Sequence, residues 1–418
     1  MLKTLKLLCV VVLSLLSITA FAGGIVTNTN QSAHYVRTLN RNASTDIDAV
    51  YYNPAGLTTF DDGMYLHVAN QMVWQTKTTI NNFPYLNDDE FVGDVFAPLF
   101  PNVYFAYKQG KLAVSAGFEP IGGGGSAVYE DGLPSFEIMV SAPLIAGGAQ
   151  GYRLDTKFEG SSVYYGGQVG VTYKVHDMFS LGLGGRVVLA QNSYTGHIKD
   201  IEMTLDGTNW ISPGIDDIEV DVEQSATGIS PIFSAFITPV KDLGLALRYE
   251  MKTELTLENE TIVDDSGMFP DGAETHADMP ALLALGVGYR VMPSLNAEVD
   301  FTYYFNEDVN WDGKEDDIDN GIEFGVALEY DLSEKLLVSA GYLYNDQKVK
   351  PEYQTDLSYS LPSNSVAGGF GYNITPKLTL NAGLIYVLYG KDEKVTLIYT
   401  EKYEKTTLNI GFGIDYNF

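Results

Sequence analysis

The sequence predicts an all-β fold: a transmembrane antiparallel β-barrel of about fourteen strands, with its N-terminal segment folded into the lumen as a plug. Three observations lead there. First, the last eleven residues alternate, with Leu408, Ile410, Phe412, Ile414, Tyr416 and Phe418 on one face and Asn409, Gly411, Gly413, Asp415 and Asn417 on the other. A period of two belongs to a strand between an apolar and a polar surrounding. Second, long polar connections and short turns alternate along the whole chain. Third, Tyr (28), Phe (20) and Gly (42) are abundant and charged residues make up only 19%. Mean hydropathy is nonetheless -0.02, because apolar and polar residues alternate instead of gathering in runs.

At the N-terminus, Lys3 and Lys6 precede the apolar run 7–18, and Ala20-Phe21-Ala22 has the form of a cleavage site. Residues 1–22 therefore read as a signal peptide. Cys9, the single cysteine, falls within it, so the mature chain is expected to have no disulfide and no thiolate metal site. After this segment no apolar run reaches helix-spanning length, which excludes helical membrane spans.

Residues 23–63 lack sustained alternation and precede the first strand; they are the expected plug. Their end carries Tyr51-Tyr52-Asn53-Pro54-Ala55-Gly56-Leu57. Pro54 restricts its own φ and the conformation of Asn53, and Gly56 permits a tight turn. From residue 64 onward, strands are expected near 64–76, 100–109, 111–119, 160–175, 178–200, 227–240 and 242–258. Seven more follow near 276–292, 294–306, 321–332, 335–348, 363–374, 377–389 and 406–418. Short turns fall at Gln109-Gly110, His176-Asp177, Val240-Lys241, Met292-Pro293, Ser333-Glu334 and Thr375-Pro376. A barrel of this size leaves a lumen that something must fill.

Strand three meets Glu119-Pro120 and then Gly122 to Gly125. Proline removes a ladder donor and consecutive glycines weaken pairing, so the strand either bends here, at Gly117, Pro120, Gly122 and Gly123, or ends in a glycine-rich loop. The next segment is unusually apolar for a loop: Phe136, Ile138, Met139, Val140, Leu144 and Ile145. It reads either as an exposed ligand-binding patch or as a small core under neighbouring loops.

Asp and Glu total 54 against 25 Lys and Arg, for a formal charge of -29. Nucleic acid is excluded as a partner. The acid gathers in runs between strands, either as solvated loops or as cation sites. The best cation candidate is Asp308, Asn310 and Asp312, which approaches calcium-loop spacing but lacks the bidentate glutamate. Basic side chains in or near strands that could meet an anion are Arg153, Lys157, Arg186 and Arg248. The five histidines (His34, His67, His176, His197, His276) are scattered, without catalytic or metal-ligand spacing. No enzyme activity and no cofactor are expected.

Residues 46–57, with Asn53-Pro54-Ala55-Gly56-Leu57, resemble the FadL/TodX family of outer-membrane transporters. So do Pro101-Asn102-Val103-Tyr104-Phe105, Tyr173-Lys174-Val175 and the terminal Tyr416-Asn417-Phe418. The resemblance implies a fourteen-stranded barrel in the bacterial outer membrane, with an N-terminal hatch and an inward kink of strand three that opens the wall. It implies passive uptake of hydrophobic molecules, best represented by long-chain fatty acids, with Asn53, Pro54, Ala55 and Gly56 as hatch elements. Aromatic hydrocarbons or haem are alternative cargoes, and a structural or adhesive barrel with a fixed plug is the alternative class. The expected partners are such hydrophobic small molecules, outer-membrane lipid and the barrel assembly machinery.

Overall fold

The structure is a computed structural model that describes residue 25 and residues 31–418. The signal peptide expected at 1–22 and the first residues of the plug lie outside the described residues. Fourteen barrel strands run antiparallel in chain order. They are β1 (Gly63–Asn81), β2 (Glu90–Gln109), β3 (Leu112–Tyr129), β4 (Gly151–His176), β5 (Phe179–Thr204) and β6 (Ile218–Val240). Two interrupted strands follow: β7 (Leu243–Glu250 resuming as Thr256–Asp264) and β8 (Glu274–His276 resuming as Leu282–Met292). The remainder are β9 (Leu295–Tyr304), β10 (Gly321–Asp331), β11 (Leu336–Asp346), β12 (Ser363–Thr375), β13 (Leu378–Tyr389) and β14 (Thr400–Asn417). β14 closes the barrel on β1, with Tyr65 opposite Asn417 and Asn81 opposite Glu401.

Side chains sort across the wall as the alternation requires. On β14, Leu408, Ile410, Phe412 and Ile414 are exposed on the outer face, whereas Thr407 and Asn409 are buried inside. On β4, Val169, Val171 and Tyr173 face outward, and Tyr164, Gln168 and Thr172 are buried inward. An outer apolar belt over a polar, hydrogen-bonded interior is the arrangement a barrel adopts in lipid. All six predicted turns join neighbouring strands at one end, and both ends of the barrel strand set lie there too.

Three expectations about elements need correction. β2 begins ten residues before its predicted start: Phe91, Gly93, Val95 and Ala97 point inward, but Glu90 and Asp94 share the outer face with Val92 and Phe96. That mixture hides the strand from a lipid-facing pattern. β3 neither stops at the glycines nor becomes a loop; it continues through them to Tyr129. The apolar segment that follows is a helix, α3 (Pro134–Ala146), not a loop. Proline is tolerated in its first turn, where the amide has no helical acceptor.

β7 and β8 are interrupted at the same level, where a bridge between Thr253 and Met279 and a bond from the Ala277 amide to the Leu255 carbonyl still join them. The interruptions turn Leu255 and Met279 inward, where both are buried with Tyr51 and Leu57 of the plug. Above this central core a second apolar cluster roofs the barrel. It brings Phe136, Val140 and Leu144 of α3 against Tyr129, Phe158, Tyr194, Val222 and Phe269.

Candidate functional site

The described N-terminal residues sit inside the strands and are bound to them. They form two short helices, α1 (Ala33–Thr38) and α2 (Ala49–Tyr52), followed by a 3-10 turn, Pro54–Thr59. Ser32 caps α1, accepting from the Tyr35 amide at 3.0 Å and donating to Asp48 at 3.0 Å. Arg41 donates to both oxygens of Asp48 at 2.8 Å, and Ser44 donates to the same carboxylate at 2.6 Å. Burial pushes the Asp48 carboxyl up, but Arg41, His34 and these hydrogen bonds outweigh it and hold it well below the usual carboxylate range. A single buried anion thus gathers both ends of the plug.

The Asn-Pro-Ala-Gly turn is then sealed against the wall. Asn53 Nδ2 donates to the Ser44 carbonyl at 2.9 Å, and the Gly56 amide donates back to the Asn53 carbonyl at 2.8 Å. A Cβ at Gly56 would lie 2.7 Å from the Ser44 oxygen, so no other residue fits without moving backbone. Thr172 donates to the Pro54 carbonyl (2.9 Å), Gln168 to that of Val50 (2.6 Å) and Arg248 to that of Tyr51 (2.6 Å). The Ala55 amide donates to Ser234 at 3.0 Å. Strands β4, β6 and β7 therefore hold four backbone groups of α2 and this turn, two of them through β4.

Beneath it lies a dry charge cluster. Arg186, fully buried, donates to Glu250 at 2.7 Å and Gln168 at 2.6 Å, and its guanidinium stacks 4.5 Å from the Tyr51 ring centre. Glu119 of β3 is also fully buried, 3.6 Å from Arg186, and its oxygens have no hydrogen-bond partner. Glu119 immediately precedes Pro120, where the wall changes.

There the β2–β3 ladder breaks. Val103 to Gln109 pair with Phe118 to Leu112, and Gly93 to Val95 pair with Tyr129 to Ala127, but 96–102 and 119–126 do not pair with one another. β3 stays attached to β4 through two bulges, at Pro120/Gly122 and Gly123/Gly125. Gly123 has φ +87° and a Cβ there would lie 2.0 Å from the Ser162 carbonyl, so this bulge requires glycine. Ile121, the extra residue of the first bulge, is buried in the central core with Tyr51 and Leu57. On its other side β2 bulges against β1, where the Asn70 side chain donates to the Pro98 carbonyl at 3.0 Å and accepts from the Phe100 amide at 2.9 Å.

A cavity of about 430 Å³ lies between the plug and the roof, reaching Tyr35 below and Gly122, Gly123 and Gly125 at the break. Its walls include Val95, Phe100, Phe158, Leu343, Val387 and Tyr389. A second pocket, of about 550 Å³, lies on the outer side beneath Trp74, Phe96 and Leu408. The two share Gln75, Val95 and Thr407 as lining residues. Those three residues are register neighbours across β14, β1 and β2, so the same stretch of wall borders both spaces.

The fold places Pro120, Gly122 and Gly123 at the break beside the hatch residues, but Gly117 stays in register with Tyr104 and Gln168, and the apolar segment is placed differently. Phe136, Ile138 and Leu144 are buried, and Met139 and Ile145 pack half-buried against the roof cluster; none of the five lines the cavity. They form a core because α3 has no polar face to present to water. Glu137 is buried among them, accepting from the Asn87 amide and Tyr152, and burial pushes its carboxyl up.

Asp308, Asn310 and Asp312 do not converge. Asp308 is exposed, Asn310 accepts from the Asp312 amide, and Asp312 accepts from the amide and ring of His276. The basic side chains expected to meet an anion are engaged elsewhere: Arg153 with Glu202, Lys157 with Glu130, Arg186 and Arg248 in the plug seam.

Two groupings were not legible in the chain. Lys77 and Lys405 line the cavity directly opposite each other on β1 and β14. Contrary to the expectation of scattered histidines, His34 of α1 and His67 of β1 meet Asp415 of β14 at 3.0 and 2.6 Å. Arg37 donates to His34 Nδ1 at 3.0 Å, which leaves the His34 proton on Nε2, facing Asp415. The trio is a hydrogen-bonded contact between plug and barrel seam, with His67 Nε2 left without a partner. Both groupings depend on barrel closure.

A family model, the outer membrane protein beta-barrel domain, matches residues 248–418. No curated protein sequence matches the chain. Among solved structures, a Pseudomonas aeruginosa FadL homologue is similar with a TM-score of 0.70 at 13% identity, covering 95% of this chain and 100% of that one. The Ralstonia pickettii toluene transporter TbuX gives 0.60 at 19% identity, covering 89% and 94%. The Pseudomonas putida toluene transporter TodX gives 0.62 at 13%, covering 94% and 99%. The chain is an outer-membrane β-barrel of fourteen strands.

Proposed function

The chain has the fold of the FadL and TodX structures, and from this fold and its own cavity we propose that it carries hydrophobic molecules passively across the outer membrane. The cargo is a long-chain fatty acid or a related apolar amphiphile. It rests in the cavity above the plug and leaves sideways through the break between β2 and β3. One observation carries the reading: a cavity with both polar and apolar walls reaches Phe100, Gly122, Gly123 and Gly125, where β2 and β3 are unpaired. An apolar solute gains roughly 25 cal/mol per Å² of apolar surface removed from water, enough to draw it from the aqueous phase without nucleotide hydrolysis.

In this reading Asn53, Pro54, Ala55 and Gly56 are the movable part of the hatch, and Glu119, Pro120, Gly122 and Gly123 set the break. Transport of monoaromatic hydrocarbons is the second reading, favoured by the toluene transporters among the similar structures. The test is uptake of radiolabelled palmitate and toluene by cells with the wild type, Pro54→Ala, or a deletion of Gly122 to Gly125. Palmitate uptake is expected to fall several-fold in both variants while heat-modifiable migration on gels shows an assembled barrel. Uptake equal to wild type in both variants removes the hatch and the break from the mechanism.

A further inference from the structure

Lys77 and Lys405 are the two lysines that line the cavity. They are register partners across the β1–β14 seam, which places their Cα atoms about 5 Å apart. Like charges directly opposite one another weaken a ladder. Here the repulsion stands uncompensated. Among the described residues neither ammonium has a carboxylate within ion-pair distance. Each instead lies over a tyrosine ring: Lys77 4.9 Å from the centre of Tyr359, Lys405 4.9 Å from that of Tyr389. Both hydroxyls are committed, Tyr359 to the Glu404 carbonyl at 2.8 Å and Tyr389 to Thr407 at 3.3 Å. The rings shape the site without neutralising it.

The acids nearby are occupied. Asp356, whose field reaches Lys77, accepts from the Ser135 and Leu357 amides. Glu323 lines the same cavity, bonded to Asn345 and Tyr304. In a chain with 54 acids against 25 bases, two adjacent cations without an ion-pair partner, beside a cavity with apolar stretches in its wall, are a site awaiting an anion. Below them β1 offers Gln75, Val73 and Gln71 to the cavity, a descent of roughly 20 Å from Lys77 along the strand. The wall break lies beside that descent.

Resting on the transport reading above, we propose that Lys77 and Lys405 together bind one oxyanion headgroup of an amphiphile whose apolar tail runs down the cavity toward the β2–β3 break. The class is an acyl carboxylate or an alkyl phosphate: two oxygens bridge the two ammonium groups, and the tail occupies the walls of Val73, Val95, Phe100 and Val387. A neutral hydrocarbon gains nothing from the lysines. They are the specificity-determining pair that separates an ionised amphiphile from toluene.

The test measures binding of palmitate, hexadecyl phosphate and methyl palmitate to the full-length protein in a neutral detergent, for the wild type, Lys77→Met/Lys405→Met and Lys405→Arg. The double variant is expected to lose about tenfold or more in affinity for palmitate and hexadecyl phosphate. Methyl palmitate should stay within about twofold, Lys405→Arg should retain anion binding, and the thermal midpoint should not fall. The ratio of the two anions in the wild type tells a fatty acid from a phosphate-headed lipid. Unchanged palmitate affinity in the double variant overturns the inference alone, as does an equal loss for methyl palmitate. Failure of all three amphiphiles to bind the wild type overturns the transport reading with it.

Discussion

Asp48 is the residue on which the plug converges: Ser32, Arg41 and Ser44 all donate to it in a site closed to water. Its folded pKa lies below its ordinary 3.8, so its stabilisation is complete above that value and is lost as pH falls toward the folded pKa. Protection of residues 33–59, taken relative to the intrinsic amide exchange rate at each pH, should therefore be the same at pH 7 and pH 5 and fall below about pH 4. Asp48→Asn should release the same amides at pH 7, costing about 3–5 kcal/mol because Arg41 loses its buried partner. Unchanged exchange in that variant would mean that the wall contacts alone hold the plug. Asp48 was not singled out by sequence, because a carboxylate in a plug looks like any other until Arg41 is seen to face it. The Asn53 to Gly56 turn was legible, since proline and glycine restrict the backbone wherever they occur.

Strands were legible to the extent that one face met lipid. β14 and β4 show a clean alternation; the upper half of β2 mixes Asp94 with Phe96 on its outer face and does not. α3 was illegible for a different reason. A segment buried on nearly every side carries no period, and its apolar content fits an exposed patch and a covered core equally well. The structure decides for the core. Leu144→Ala should accordingly cost the roof about 2–5 kcal/mol of local stability, seen as faster hydrogen exchange in 134–146. Palmitate affinity should change little. Lost affinity with unchanged exchange would show instead that Leu144 touches the ligand.

At the scale of the whole molecule, the plug, the break and the cavity form one connected arrangement. Glu119 stands at the break and faces Arg186, which stacks on Tyr51 of the plug. Val95 marks the other side, lining the cavity at the edge of the unpaired run 96–102, where the inner space meets the break. Val95→Trp should narrow that meeting point while leaving the lysine end of the cavity open. Labelled palmitate should still bind the purified variant, but its uptake by cells should fall several-fold. Uptake at the wild-type level would place the exit elsewhere in the wall. Binding and passage are separable in this way because the headgroup end and the break lie at different heights on β1 and β2.

The sequence by itself determined the barrel, its strand order, its turns and the presence of a plug. Each of these follows from a local signal: a period of two, a proline–glycine turn, or the spacing of long and short connections. Only the tertiary structure decided that Lys77 faces Lys405, that Asp415 joins His34 to His67, and that the glycines of β3 detach it from β2 without ending it. The first two depend on closure, which pairs the first strand with the last, and the third on how β3 packs against β4 and the plug. Residues more than three hundred positions apart carry no mark in the chain of the neighbours they will acquire.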